Sequence, residues 1–382
     1  MVDTSWYGTE DRRSSFCVIG TSNAIFRDGY AAHLATHPGI ASVDNLSLGG
    51  SSSNLFAYRR AATDFSKFDV CILDFCVNDT TLLSSSFQNQ QNVIDSLEDA
   101  IATCLSQNCI PALFMLPLQN ADGNPIPDIY RHVANEWKIP FFDGYAALRA
   151  ISTSAQIPYD SLFEDPFHIY RWLAAAFAQW TADGLLTALN TPRIGSNRHI
   201  TSAHHRYLDL RQCISPQHKF KHRQTSLAAA PVLDLNPGTA LDVPVPDHTS
   251  IVAIVADFAH AHGTVCLSGT INSRLCLSSL DIRDDDTDLV LKAWPVPIPI
   301  KPLNGMVRVS VMDDTAFDVG LWHPLSEMQK NTPVSVGLCG FILRDGNTTR
   351  LARNWHYDPL DLASYNQDSY IEPIIRRLRE SS

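Results

Sequence analysis

The sequence predicts an α/β protein: a doubly wound parallel sheet in the first 190 residues, followed by a C-terminal β-sandwich. Three observations predict it. Short apolar runs alternate with segments of helical spacing up to residue 190, which is the pattern of strand–helix–strand units. Several of those runs end in small or polar residues, as strands feeding a ligand-binding rim do. From about residue 231 the chain changes to short β-rich runs with no long helix between them, which is the economical signature of a sandwich.

The first strand is Phe16-Cys17-Val18-Ile19, broken by Gly20, and a helical pattern of Ala24, Ile25, Tyr30, Ala31 and Leu34 follows to about His37. Residues 41–48 alternate weakly and form a second strand, closed by Gly49-Gly50. Ser51 to Asn54 supply N-caps for a helix to about Ala62. Residues 69–75 are a buried strand ending at Cys76-Val77-Asn78-Asp79, and the spacing of Val93, Leu97, Ile101 and Leu105 predicts a helix. Residues 110–116 form a fourth strand, 117–127 a Pro-rich loop, 130–137 a helix and 139–142 a short strand. An amphipathic helix from Tyr170 to about Leu189 closes this half. Residues 191–230 lack periodicity and are expected to link or wrap. Apolar runs at 251–256, 264–267, 274–282, 289–294, 306–312, 319–322 and 334–343 build the sandwich over 231–350, with Asn304-Gly305 and Asp345-Gly346 as turn signals. Residues 351–382 are an extension with a basic final helix over 371–378.

Hydrophobic content of 45% is ample for two cores in 382 residues, and a net charge of −11 argues against nucleic acid or an anionic membrane as the main partner. No stretch approaches the ~18 apolar residues of a membrane span. The first fifteen residues carry Asp3, Glu10, Asp11, Arg12 and Arg13 without an apolar stretch, so no signal peptide is visible. Nine scattered cysteines, several inside apolar strands, read as reduced core thiols, and the expected location is the cytoplasm.

Chemistry is expected where strand ends converge. Ser22 follows the first strand, Gly50 the second and Asn78 the third, while Asp165 and His168 precede the last helix. Acyl transfer needs a nucleophile, a base, an orienting acid and oxyanion donors, and one rim of a doubly wound sheet supplies that set. Taken singly, each has a plain reading: Ser22 or Asp165 as a helix cap, Gly49-Gly50 as a loop break, Asn78-Asp79 as a strand-end turn.

Together, Gly20-Thr21-Ser22-Asn23, Leu48-Gly49-Gly50-Ser51-Ser52, Phe75-Cys76-Val77-Asn78-Asp79 and Asp165-Pro166-Phe167-His168 resemble, in order, the four blocks of the SGNH (GDSL-type) hydrolases. The resemblance covers the first 190 residues. It implies a flavodoxin-like, three-layer fold and hydrolysis or transfer of acyl groups, often from acetylated carbohydrate. It implies Ser22 as nucleophile, His168 as general base and Asp165 as the acid that orients it. The oxyanion donors it implies are the backbone N–H groups of Ser22 and Gly50 and the side-chain amide of Asn78. Gly49 is the rival of Gly50, which is preferred because two hydroxyl residues follow it. Thr21 stands where the family usually has aspartate, Cys76 where a glycine is common, and Ile169 where proline is common.

The expected function is a serine esterase acting without metal or other cofactor on a small acyl ester, an O-acetyl group on a carbohydrate being favoured. The alternatives are an O-acyltransferase using the same residues with a sugar hydroxyl as acceptor, and a catalytically silent carbohydrate-binding or scaffold protein. The β-rich half is a candidate for glycan binding or for homo-oligomer contacts. His204-His205 and the His218/His222 pair lack partners at ligand spacing and are expected at the surface, as are His260 and His262. The acidic run Asp284 to Asp288 reads as a solvated turn rather than a calcium loop, and Trp294, Trp322 and Trp355 as core aromatics rather than a sugar platform.

Overall fold

Phe16, Cys17, Val18 and Ile19 are wholly buried because their strand lies inside a sheet covered on both faces. The computed structural model describes residues 13–190, 197–277, 289–312, 334–353 and 360–380. In the first half the elements run β1 (Ser14–Gly20), α1 (Ser22–Ile25), α2 (Tyr30–Leu34), β2 (Ile40–Asn45), α3 (Leu55–Arg60), β3 (Val70–Asp74), α4 (Cys76–Ser84) and α5 (Gln90–Ser106). There follow β4 (Ile110–Met115), α6 (Ile126–Trp137), β5 (Phe141–Asp143), α7 (Gly144–Ala155), β6 (Phe163–Asp165), β7 (His168–Ile169) and α8 (Arg171–Asn190). The five large strands pair in parallel in the order β2-β1-β3-β4-β5. Strand order reverses at β1 and β3, so the ligand crevice of such a sheet lies beyond their C-terminal ends. Ser22 and Asn78 lie just past those two ends.

Local readings fail here in three places. The first helix is two short pieces, α1 and α2, separated at Phe26 to Gly29, so no long helix dipole stands behind Ser22. The Pro-rich loop is shorter than expected because α6 starts at Ile126, with Pro127 at a first-turn position where a missing N–H is harmless. Helix α7 was not anticipated; the Asp143 side chain starts it by accepting from Ala146 N at 3.0 Å.

The second half supplies β8 (Asn197–Asp209), β9 (Lys221–Gln224), β10 (Ala229–Leu235), β11 (Ala240–Pro244), β12 (Ser250–His262), β13 (Thr264–Ser268) and β14 (Asn272–Cys276). It continues with β15 (Leu291–Ile300), β16 (Met306–Met312) and β17 (Ser335–Arg353), and α9 (Gln367–Glu380) ends the described chain. One sheet has the order β15-β12-β17-β10-β9 with β8 paired along β17, and a second has the order β11-β16-β13-β14. All of these pairs are antiparallel. Ile254, Phe258, Trp294 and Phe341 of the larger sheet share a core with Val265, Leu267, Val307 and Val309 of the smaller one. Val252, Val255, Ala293 and Ile342, on the opposite face, join the core of the α/β half. The larger sheet is therefore covered on both sides, and Ile251 to Ala256 is a continuous apolar run, without alternation, for that reason.

Residues 191–230, expected to link or wrap, instead contribute β8 and β9. Strand β8 has no clear alternation because its polar groups meet polar groups of α5: His205 N donates to Asp99 at 3.2 Å. His205 is buried, against the surface position expected of it. Asp99 is also bound by Arg60 at 3.0 Å and by Arg350 of β17 at 2.6 Å, and Arg344 of β17 reaches Asp95 at 2.6 Å. The polar side of α5 is thus an interface between the halves, its buried Asp95 and Asp99 carboxylates met by arginines of β17 and, at Asp99, by Arg60 as well. Asn304 and Gly305 both have positive φ, the geometry of a tight hairpin turn. Asp345-Gly346 is not a turn but an irregularity inside β17, where the pairing with β8 shifts register. Helix α9 begins at Gln367, earlier than expected, and Tyr370 stacks on Trp180 with ring centroids 5.0 Å apart.

The acidic run Asp284 to Asp288, Trp322, Trp355 and the strand expected at 319–322 lie outside the described residues. Among the described residues no helix is long and apolar enough to cross a membrane.

Candidate active site

Ser22 is the first residue of α1, and Thr21, not Ser22, occupies the cap position. The Ser22 hydroxyl is 2.7 Å from His168 Nε2. Two contacts fix the turn that carries it. Gly20 N donates to Ser47 Oγ at 2.8 Å, and Asn45 Nδ2 donates to Ala24 O at 2.7 Å. Gly20 is required by crowding: a Cβ there would lie 2.9 Å from the Cβ of Asp74 on the neighbouring strand.

Asp165 and His168 sit on a two-stranded hairpin, β6 and β7, in front of α8. Asp165 is therefore a turn residue and not a cap of that helix. One of its oxygens accepts from the backbone N–H of Phe167 at 2.8 Å and of His168 at 3.0 Å, closing the turn. The other lies 2.7 Å from His168 Nδ1. An acidic partner on Nδ1 holds the proton there and leaves Nε2 free to accept from a hydroxyl. The Phe26 ring meets the imidazole edge-on at 5.0 Å, and the Arg171 guanidinium covers Phe26 at 4.5 Å while pairing with Asp28 at 2.7 Å. Neither Phe26 nor Arg171 was marked by sequence spacing; Phe26 reaches the imidazole only through the tertiary fold, and Arg171 acts on it only through Phe26.

On the opposite side, Gly50 adopts φ +70°, a conformation that favours glycine, which accounts for glycine at this position of the loop after β2. Asn78 lies in the first turn of α4, buried, and its Nδ2 donates to Ser51 O at 2.9 Å. An amide nitrogen carries two protons, so one remains for a ligand. Asp79, which the sequence marked only as a turn residue, ties the loop to the helix. It accepts from Ser53 N at 3.0 Å, Gln88 Nε2 at 3.1 Å and Tyr130 Oη at 2.7 Å. The signal available in the sequence was its adjacency to Asn78.

Beneath these groups lies Asp74, wholly buried at the end of β3. Its carboxyl oxygens make no hydrogen bond within 3.5 Å among the described residues, and burial, outweighing the lowering effect of the nearby Tyr30 hydroxyl, pushes its pKa up to about 7. Since the native state holds the proton more tightly than the unfolded chain, this group's contribution to stability is full below the unfolded value of 3.8 and is lost as pH rises to about 7. Between pH 5 and pH 8 the loss is expected to be on the order of a few kcal/mol. Asp74→Asn should flatten that slope in urea unfolding, and parallel slopes for the two proteins would refute the assignment.

No family model and no curated protein matches the sequence. Solved structures do. A two-domain esterase active on acetylated mannans, co-crystallised with mannopentaose, superposes with a TM-score of 0.58 at 14% identity, over 88% of this chain and 92% of that one. The same esterase without the oligosaccharide gives 0.54 at 14% identity, over 87% and 91%. At this identity the likeness speaks to architecture, and it extends across both halves. In fold, the chain is similar to that two-domain esterase over both halves: a three-layer α/β domain built on a five-stranded parallel sheet, followed by a β-rich domain of antiparallel sheets.

Proposed function

We propose that the protein is a serine esterase that removes a small acyl group, an O-acetyl group, from a carbohydrate. The observation that carries this reading is the chain Ser22 Oγ, His168 Nε2, His168 Nδ1, Asp165 Oδ2, with 2.7 Å at each hydrogen bond. In the reaction, Ser22 Oγ attacks the ester carbonyl and its proton passes to His168 Nε2. The negative oxygen of the tetrahedral adduct is met by the backbone N–H groups of Ser22 and Gly50 and by the remaining N–H of Asn78. The imidazolium returns its proton to the leaving alcohol, and water releases the acyl group by the same steps in reverse roles. The two-domain architecture shared with an esterase active on acetylated mannans supports an acetylated glycan as substrate.

The direct test is to mix the protein with an activated acetyl ester, quench it, and map the adduct, together with an assay for acetate released from acetylated mannan. An acetyl group on the Ser22 peptide and free acetate are expected. A chain that carries no adduct and releases no acetate is not an esterase of this kind. Asn78→Ala should lower kcat by about 10²–10³-fold, or ~2.7–4 kcal/mol, with little change in KM, because its amide is used fully only when the oxyanion forms.

A further inference from the structure

We infer that Phe26 and Arg171 brace the imidazole of the site: the Phe26 ring bears on His168 directly, Arg171 seats that ring, and together they hold Nε2 on the Ser22 hydroxyl. The inference rests on the serine-esterase reading and gives a task to two residues that none of the four sequence blocks contains.

Asp165 binds Nδ1 from the hairpin that also carries His168, so it orients the imidazole within that hairpin without tying the hairpin to the nucleophile. The tie comes from the nucleophile's own helix. Phe26 closes α1, its backbone N–H donating to Ser22 O at 3.3 Å, and there the chain leaves helical geometry with ψ 144°. The turn that follows is tight: Gly29 N donates to Phe26 O at 2.8 Å, and a Cβ on Gly29 would lie 2.5 Å from Asn23 O. The break between α1 and α2 thus brings Phe26 and Asp28 to the hairpin side of the site. The Phe26 ring meets the imidazole edge-on, with centroids 5.0 Å apart. Arg171, the first residue of α8, closes the arrangement from the other direction. Its guanidinium covers the Phe26 ring at 4.5 Å and pairs with Asp28 at 2.7 Å and with Glu164 at 3.4 Å. Its backbone N–H donates to the same Glu164 at 3.1 Å. Arg171 therefore clasps both segments: Phe26 and Asp28 on the nucleophile side, and Glu164, next to Asp165, on the hairpin.

The Arg171 and Asp28 side chains are both largely exposed, so their charges attract weakly through water, and what the clasp contributes is position. Proton transfer from the serine depends on position, since a misplacement of about 1 Å can cost about 10²-fold in rate. A ring that only holds the imidazole takes no part in substrate binding, so its loss should fall on kcat and leave KM alone. Because Arg171 acts on the imidazole only through Phe26, its removal should cost nothing further once the ring is gone. Both are positioning residues.

The test is a double-mutant cycle in the full chain, read with an activated acetyl ester. Phe26→Ala should lower kcat about 10- to 100-fold and Arg171→Ala about 3- to 10-fold, each with KM within about twofold of the wild type. The double variant should be no more than about twofold slower than Phe26→Ala alone. Phe26→Leu, which keeps apolar bulk but not the flat ring, replaces Phe26→Ala throughout the cycle if a thermal melt shows that the latter folds poorly. Losses that multiply in the double variant overturn the inference, and so does an unchanged kcat in a folded Phe26 variant. A loss confined to KM also overturns it, because that marks the pair as substrate contacts. A wild-type chain whose Ser22 takes no fluorophosphonate label removes the esterase reading itself and this inference with it, and is told apart by being seen before any variant is made.

Discussion

Ser22→Ala is expected to lose about four to six orders of magnitude in kcat on an activated ester and to take no acyl or fluorophosphonate label. The hydroxyl is the only atom changed, and it is half-buried in a turn held by Ser47 and Asn45, so the fold should survive. What remains should be the background from an intact oxyanion pocket. Intact-mass analysis after incubation with the ester, beside a thermal melt, decides it. A variant that is folded, unlabelled and still fast would mean that another group carries the acyl chemistry.

The second large effect concerns the base. His168→Ala should cost about 10⁴-fold or more in kcat, because the serine proton then has no acceptor at 2.7 Å. Asp165→Asn should cost less. The side chain of Asp165 is 47% exposed, against 16% for His168, so water can substitute in part for a carboxylate that in a buried triad is worth about 10⁴-fold. A loss of about 10²–10³-fold is expected for Asp165→Asn, measured as kcat on the same ester. Equal losses for the two variants would show that exposure does not weaken this acid.

Much of the α/β half was legible because its signals are local. Phe16 to Ile19, the run ending at Asp74 and the run ending at Met115 are buried strands whose composition announces them, and their turns carry the residues that meet at the site. The sandwich was legible for a similar reason, in Val307, Val309 and Val311 alternating along β16. Strand β8 was not. Its polar residues answer Asp99 on α5, and a strand whose faces are set by ion pairs has no hydrophobic period to read. The break between α1 and α2 was hidden too, since the apolar positions keep helical spacing across it while Gly29 starts a new helix.

The sequence by itself determined the buried strands of the α/β half and that Ser22, Gly50, Asn78 and the Asp165-x-x-His168 pair each lie beside a strand end or the last helix. These follow from residue type and spacing over a few positions. Only the tertiary structure decided that His168 meets Ser22 across 146 residues of chain, that Asp165 faces Nδ1 from a hairpin, and that Phe26 meets the imidazole under Arg171. Those contacts depend on how sheets and helices stack, through packing and charge pairing between segments far apart in the chain, and no local pattern records them.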